Sequence, residues 1–121
     1  MKNKKVILCD DDQSILELLE LVAGTAGCEP VAVSKSLDVI RAIRQNDPAL
    51  VILDLWMPVM SGDMILQTIR KDERLKDLPV LIISASSDGK SIAMQHGATD
   101  YLAKPFEITD LIHVFQKYCV G

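Results

Sequence analysis

Val6-Ile7-Leu8-Cys9-Asp10-Asp11-Asp12, residues 6–12, decides how the rest of the chain is read: an apolar run stops abruptly at three adjacent carboxylates. The run is too short for a helix and lacks the alternation of a half-exposed strand. It reads as a strand covered on both faces. Working outward, similar runs recur at Val31-Ala32-Val33, Leu50-Val51-Ile52-Leu53, Val80-Leu81-Ile82-Ile83 and Tyr101-Leu102-Ala103. The second is the weakest and, entered through Pro30, reads as an edge strand. Helical spacing fills the gaps. Ile15, Leu18, Leu19, Val22 and Ala26 share one face, with a stop at Gly27. Leu37, Ile40 and Ile43 form a second stripe closed before Pro48, and Ile65, Leu66 and Ile69 a third. Lys90 to His96 is a short fourth segment ending at Gly97. Ile108, Leu111, Ile112, Phe115 and Cys119 make the fifth. Strands alternating with helices predict an α/β fold, a parallel sheet between helical layers joined by right-handed crossovers.

Composition narrows the function. The chain has 121 residues, enough for one domain, 1–121, and for a core that needs no staples. Its net charge of -4 and lack of a basic run speak against nucleic-acid binding; Lys2, Lys4 and Lys5 read as a solvated end. No apolar run approaches the ~18 residues that would cross a bilayer, and the acids at 10–12 break any signal-peptide core. Cys9, Cys28 and Cys119 are odd in number and widely spaced, neither a disulfide framework nor a zinc pattern, so they read as reduced thiols of a cytoplasmic protein. His96 and His113 read as surface or helix-end residues, and Met57, Met60, Met64 and Met94 as packing.

The functional argument is positional. Ligands of open α/β sheets bind beyond the carboxyl ends of the strands. Here those ends carry Asp10-Asp11-Asp12, Asp54, Ser84 and Lys104. Carboxylates packed together repel unless a cation intervenes, and Mg²⁺ typically takes one or two carboxylates while leaving positions for phosphate oxygens. An aspartate beside such an ion can attack phosphorus and form an acyl phosphate, with an ammonium and a hydroxyl stabilising the charge on the transferred group. Asp10, Asp11, Asp54, Ser84 and Lys104 supply those parts. Asp12 is well placed to cap the helix starting near Gln13.

Over nearly its whole length the sequence resembles the receiver domain of two-component response regulators. Asp10 and Asp11 match that family's acidic pair, and Asp54-Leu55-Trp56-Met57-Pro58 its phosphoacceptor segment, followed by the loop glycine, Gly62. Ser84-Ala85 matches the hydroxyl residue and the small residue after it, Tyr101 the aromatic switch, and Lys104-Pro105-Phe106 the Lys-Pro with its cis bond. The resemblance implies a flavodoxin-like (βα)5 sheet of order 2-1-3-4-5. It implies Mg²⁺, for which Mn²⁺ could substitute, bound by Asp10, Asp11, Asp54 and the backbone carbonyl of Trp56. It also implies a phosphoryl group received on Asp54 from a sensor histidine kinase or a histidine phosphotransfer protein. The chain would then be a signalling switch, catalysing only its own phosphotransfer and dephosphorylation, that acts on an output domain or partner as a monomer or weak homodimer. It would be a stand-alone regulator or the N-terminal part of a longer one. In the switch, Ser84 would move to the phosphoryl group and Tyr101 turn inward behind it. The stretch from Ser84 to Gly97 is shorter than usual in the family, which puts the fourth helix and the partner surface it builds at variance with the family's pattern.

Two rival functions compete, and a third is set aside. A haloacid-dehalogenase-like phosphatase would place Asp10 and Asp12 as its acid pair, but the following Thr or Gly is missing. A binding module without phosphorylation would have shed an acid or the lysine, and none is lost. A dinucleotide site would need a glycine-rich loop after the first strand. Trp56 reads either as a partly buried loop aromatic or as a screen between Asp54 and attacking water.

Overall fold

The computed structural model of the chain describes residues 4–120; Lys2 of the N-terminal basic cluster lies outside them. Five strands, β1 (Lys5–Cys9), β2 (Glu29–Val33), β3 (Leu50–Asp54), β4 (Val80–Ser84) and β5 (Asp100–Ala103), form one parallel sheet. Their order is β2-β1-β3-β4-β5, the order expected. The connecting helices are α1 (Gln13–Thr25), α2 (Val39–Asn46), α3 (Gly62–Lys71), α4 (Gly89–Gln95) and α5 (Ile108–Phe115), the last running into a π turn, Gln116–Val120. Chain order doubles back between β2 and β3, so the crevice at the switch in winding opens above β1 and β3, where Asp10, Asp11 and Asp54 stand.

The central strands β1, β3 and β4 are nearly continuous in apolar residues because both faces are covered, whereas β2 and β5 at the edges are partly exposed. Alternate residues go to opposite sides. Ile7, Cys9, Val51, Leu53, Val80 and Ile82 pack with Val39, Ile43, Ile65, Leu66 and Ile69 beneath α2 and α3. Val6, Leu8, Leu50, Ile52, Leu81 and Ile83 pack with Leu16, Leu19, Leu111 and Phe115 beneath α1 and α5. Full burial of each such side chain is worth about 1.5–3 kcal/mol, so this bilayered core fixes the strand register and with it which residue ends each strand.

Two apolar positions depart from the stripes read in the sequence. Leu37 is 65% exposed, because residues 36–38 form a 3₁₀ turn ahead of α2 and the buried face of that helix is set by Val39, Ala42 and Ile43 instead. Ile108 opens α5 and is likewise exposed, the core contact being made by Leu111, Val114 and Phe115. The fourth helix is short, as expected, and starts at Gly89. All three thiols are free and buried.

Candidate functional site

At the carboxyl rim of the sheet, Asp10 follows β1, Asp54 ends β3 and Ser84 ends β4, all three buried. Asp11 is exposed beside them. A carboxylate oxygen from each of Asp10, Asp11 and Asp54 can be chosen so that all lie within 4.8 Å of one another. Lys104 reaches over from the residue after β5. Its Nζ donates to Asp10 Oδ2 at 2.9 Å and to Asp54 Oδ1 at 3.3 Å. The Lys104-Pro105 peptide bond is cis.

The electrostatics are those of an anionic site short of cations. Burial, then the charge of Asp10, pushes the Asp54 carboxyl up to about 6, with Lys104 pulling the other way. Burial works against the Lys104 ammonium too, yet the hydrogen bond and charge of Asp10, followed by those of Asp54, outweigh it and hold its pKa above the ordinary value. One ammonium therefore serves two carboxylates. A divalent cation with oxygen ligands fits this donor set, since three carboxylates and one lysine leave net negative charge in a half-closed crevice.

Asp12 turns away from the cluster. Its carboxylate accepts from the Ser14 amide at 3.0 Å and the Ile15 amide at 3.4 Å, capping α1, and it also takes the Ser14 hydroxyl at 2.6 Å. The Ser14 hydroxyl bond, then the Ile15 amide bond, holds its pKa below the usual range. Asp10 also has a local duty: its Oδ1 accepts the Asp12 amide at 2.9 Å, which fixes the carboxylate above β1.

The loop after β3 begins with Leu55, bonded back to the Ile83 carbonyl, and closes where the Gly62 amide donates to the Leu55 carbonyl at 2.8 Å. A side chain at 62 would run into the backbone of Asp54, which is why a glycine stands there. Trp56 is 53% exposed and donates its indole N–H to Ser86 Oγ at 3.1 Å. Ser86 Oγ lies 3.0 Å from Ser84 Oγ, and the Ser86 amide donates to Ser84 Oγ at 3.1 Å. The Ser84 hydroxyl is thus tied to the loop that follows its own strand.

Tyr101 is half-buried against the α3–α4 side of the core, and its hydroxyl donates to the Ser84 carbonyl at 3.1 Å. That bond sets the Tyr101 ring beside the end of β4, where Ser84 stands. Gly89 allows it: a Cβ there would come within 2.8 Å of both Ser84 and the Tyr101 hydroxyl. Ser86 and Gly89 went unread in the sequence as parts of the site. The short segment after Ser84 was the only signal near them.

Comparison with known proteins gives the family. The model of the response regulator receiver domain matches residues 6–116. The chain belongs to the response regulator receiver domain family. Among curated relatives, the receiver is 37% identical over 111 residues to the transcriptional regulatory protein GltR of Pseudomonas aeruginosa, covering 90% of this chain and 46% of that protein. It is 32% identical over 123 residues to the probable C4-dicarboxylate response regulator DctR of Bacillus subtilis, covering 97% of this chain and 53% of that one. The chain thus spans about half the length of the curated relatives it matches. Of solved structures, the receiver domain of Francisella response regulator 1452 superposes with a TM-score of 0.87 at 28% identity, covering 98% of each chain. Chemotaxis protein CheY4 of Vibrio cholerae gives 0.86 at 26%, covering 96% of this chain and 98% of that one. Receiver domains are the switch components of two-component signalling. No helix among the described residues is long and apolar enough to cross a membrane.

Proposed function

We propose that this receiver is switched by a phosphoryl group carried on Asp54. The observation that carries the reading is the gathering of Asp10, Asp11 and Asp54 within 4.8 Å, with the Lys104 ammonium reaching both Asp10 and Asp54. Asp10, Asp11, Asp54 and the Trp56 carbonyl would hold a Mg²⁺ ion. When bound, that ion neutralises the acids and screens the incoming phosphoryl oxygens.

The chain's own residues do the rest. Asp54 is the nucleophile: a carboxylate oxygen bonds to phosphorus, the P–N bond of a phosphohistidine donor breaks, and the imidazole leaves with the electron pair. Asp54 is buried at a strand end, so its reactive oxygen is held by β3 and its hydrogen bond to Lys104 rather than by a mobile loop. Lys104 trades one partner for another, from the free carboxylate to a phosphoryl oxygen. Ser84 Oγ leaves Ser86 and donates to a second phosphoryl oxygen, and Tyr101, bonded to the Ser84 carbonyl, closes in behind it as the β4–α4 loop follows. The donor is a sensor histidine kinase or a histidine phosphotransfer protein, and the moved loop is what an output partner reads.

Beryllofluoride, which mimics the acyl phosphate, tests the reading without a donor. With Mg²⁺ present the wild-type chain binds it stoichiometrically, shown by bound ¹⁹F resonances, and Asp54→Asn does not. Equal binding by the variant would place the anion site elsewhere and return the chain to the binding-module reading.

A further inference from the structure

Ser36 has no part in the chemistry above, yet it is a buried polar side chain at the rim. It lies in the 3₁₀ turn after β2. Its hydroxyl donates to the Pro58 carbonyl at 3.0 Å and accepts the Met60 amide at 3.2 Å. The residue between, Val59, has φ of 71°, and the Met60 amide also reaches back to the Pro58 carbonyl at 2.8 Å. A hydrogen bond closed across three residues around a positive φ is the rare, strained γ-turn, and a β-branched residue at its centre is an outlier. Nothing in the Val59 side chain offsets the strain, since it is 79% exposed. Strained backbone persists where its surroundings over-determine it. Here Met57 and Met60 pack their side chains on the core, and one hydroxyl holds both ends of the turn by its backbone.

We propose that Ser36 is a positioning residue for the Asp54 site, clamping the Pro58–Met60 turn so that the Trp56–Met57 backbone faces the acidic cluster. The inference rests on the reading of that cluster as a Mg²⁺ site. The loop is anchored at its base by Leu55 and Gly62. Beyond that base, among the described residues, Ser36 supplies the side-chain hydrogen bonds to the backbone of residues 56–60. Ser36 and Met57 also line one recess with Asp11, so the clamp, the loop and an acid of the cluster share a wall. A loop free to tilt at Pro58 would carry the Trp56 carbonyl with it, two residues away. Groups that orient a metal's ligands typically change affinity by about 10–100-fold when removed.

The test is a Mg²⁺ titration of wild type, Ser36→Ala, Val59→Gly and the double variant. It is followed by the fluorescence of Trp56, the single tryptophan, and independently by calorimetry, with thermal unfolding of each protein in the absence of Mg²⁺. Ser36→Ala is expected to weaken Mg²⁺ about tenfold. Glycine accepts a positive φ without strain, so Val59→Gly alone should leave affinity near wild type, and in the double variant it should restore most of what Ser36→Ala loses. Unchanged affinity in Ser36→Ala, whatever its thermal stability, overturns the inference. So does a double variant as weak as Ser36→Ala, because the clamp would then not be holding strain. If Ser36→Ala does not fold, Ser36→Cys, near-isosteric with a weak donor, is judged by the same criteria. A wild-type chain that shows no Mg²⁺ response brings down the metal reading and this inference together, whereas failure of the clamp alone leaves the wild-type titration intact.

Discussion

The two edges of the sheet each hold a cation, and they use it in opposite ways. At the amino edge, Arg70 of α3 donates Nε to the Gly97 carbonyl at 2.8 Å, Nη1 to the carbonyls of Lys76 and Leu78 at 3.0 and 2.7 Å, and Nη2 to the Thr99 hydroxyl at 3.2 Å. It ties α3 to the turns entering β4 and β5, and every one of these hydrogen-bond partners is neutral, with Asp77 the nearby charge. At the carboxyl edge, Lys104 stands among carboxylates that outnumber it. A fork of five fixed donors suits backbone carbonyls, whereas a single ammonium is a point charge that can change partner. One edge is satisfied and therefore structural; the other is left in electrostatic deficit, which is the condition for binding a cation and then a phosphoryl group.

That contrast can be broken in order of effect. Arg70→Ala should destabilise the fold by about 2–4 kcal/mol, since it strips partners from several backbone carbonyls, while leaving Mg²⁺ affinity unchanged; Arg70→Lys should recover little. Denaturant unfolding beside a Mg²⁺ titration checks both halves, and a loss of Mg²⁺ binding would show that the two edges are not separable. At the other edge the sign reverses. Asp54 ionises near 4 when unfolded and at about 6 when folded, so between those values the folded chain holds more protons. Metal-free stability should therefore fall as pH rises through that window and stay low above it. Asp54→Asn should flatten the profile and raise neutral-pH stability by about 1–2 kcal/mol, less than the full shift because the crevice admits solvent. A profile unchanged by the substitution would mean that Asp54 is not under strain. The smallest effect is expected at Trp56, whose indole is bonded to Ser86: on the reading that it screens Asp54 from water, Trp56→Asn should lose phosphate about threefold faster, roughly 0.65 kcal/mol in barrier. A lifetime equal to wild type would reduce Trp56 to a loop aromatic.

Much of this is legible in the sequence. Runs such as Val80–Ile83 must be buried strands, and a strand's last residue is fixed once its apolar run is fixed, so spacing puts Asp10, Asp54, Ser84 and Lys104 at strand ends, while their meeting at one rim needs the strand order that the family resemblance implies. Asp12 as a cap followed from its position before Gln13. What stayed hidden depends on turns rather than periods. Leu37 matched a helical stripe but fell in a 3₁₀ turn, which rotates it to solvent. The bonds of Ser36 to Pro58, of Trp56 to Ser86 and of Arg70 to Gly97 each join segments that are 22 to 30 residues apart in sequence. No local pattern encodes such pairs. The contact of Tyr101 with the Ser84 carbonyl is permitted by Gly89, whose value as empty space is invisible until Ser84 and Tyr101 are seen beside it.

The most direct test of the central claim is the intact mass of the chain after incubation with acetyl phosphate, with and without Mg²⁺, for wild type and Asp54→Ala. The account predicts a single adduct of ~80 Da, one phosphoryl group on a carboxylate, that forms only when both Mg²⁺ and Asp54 are present. An adduct that survives Asp54→Ala, or that forms equally well in chelator, would contradict it.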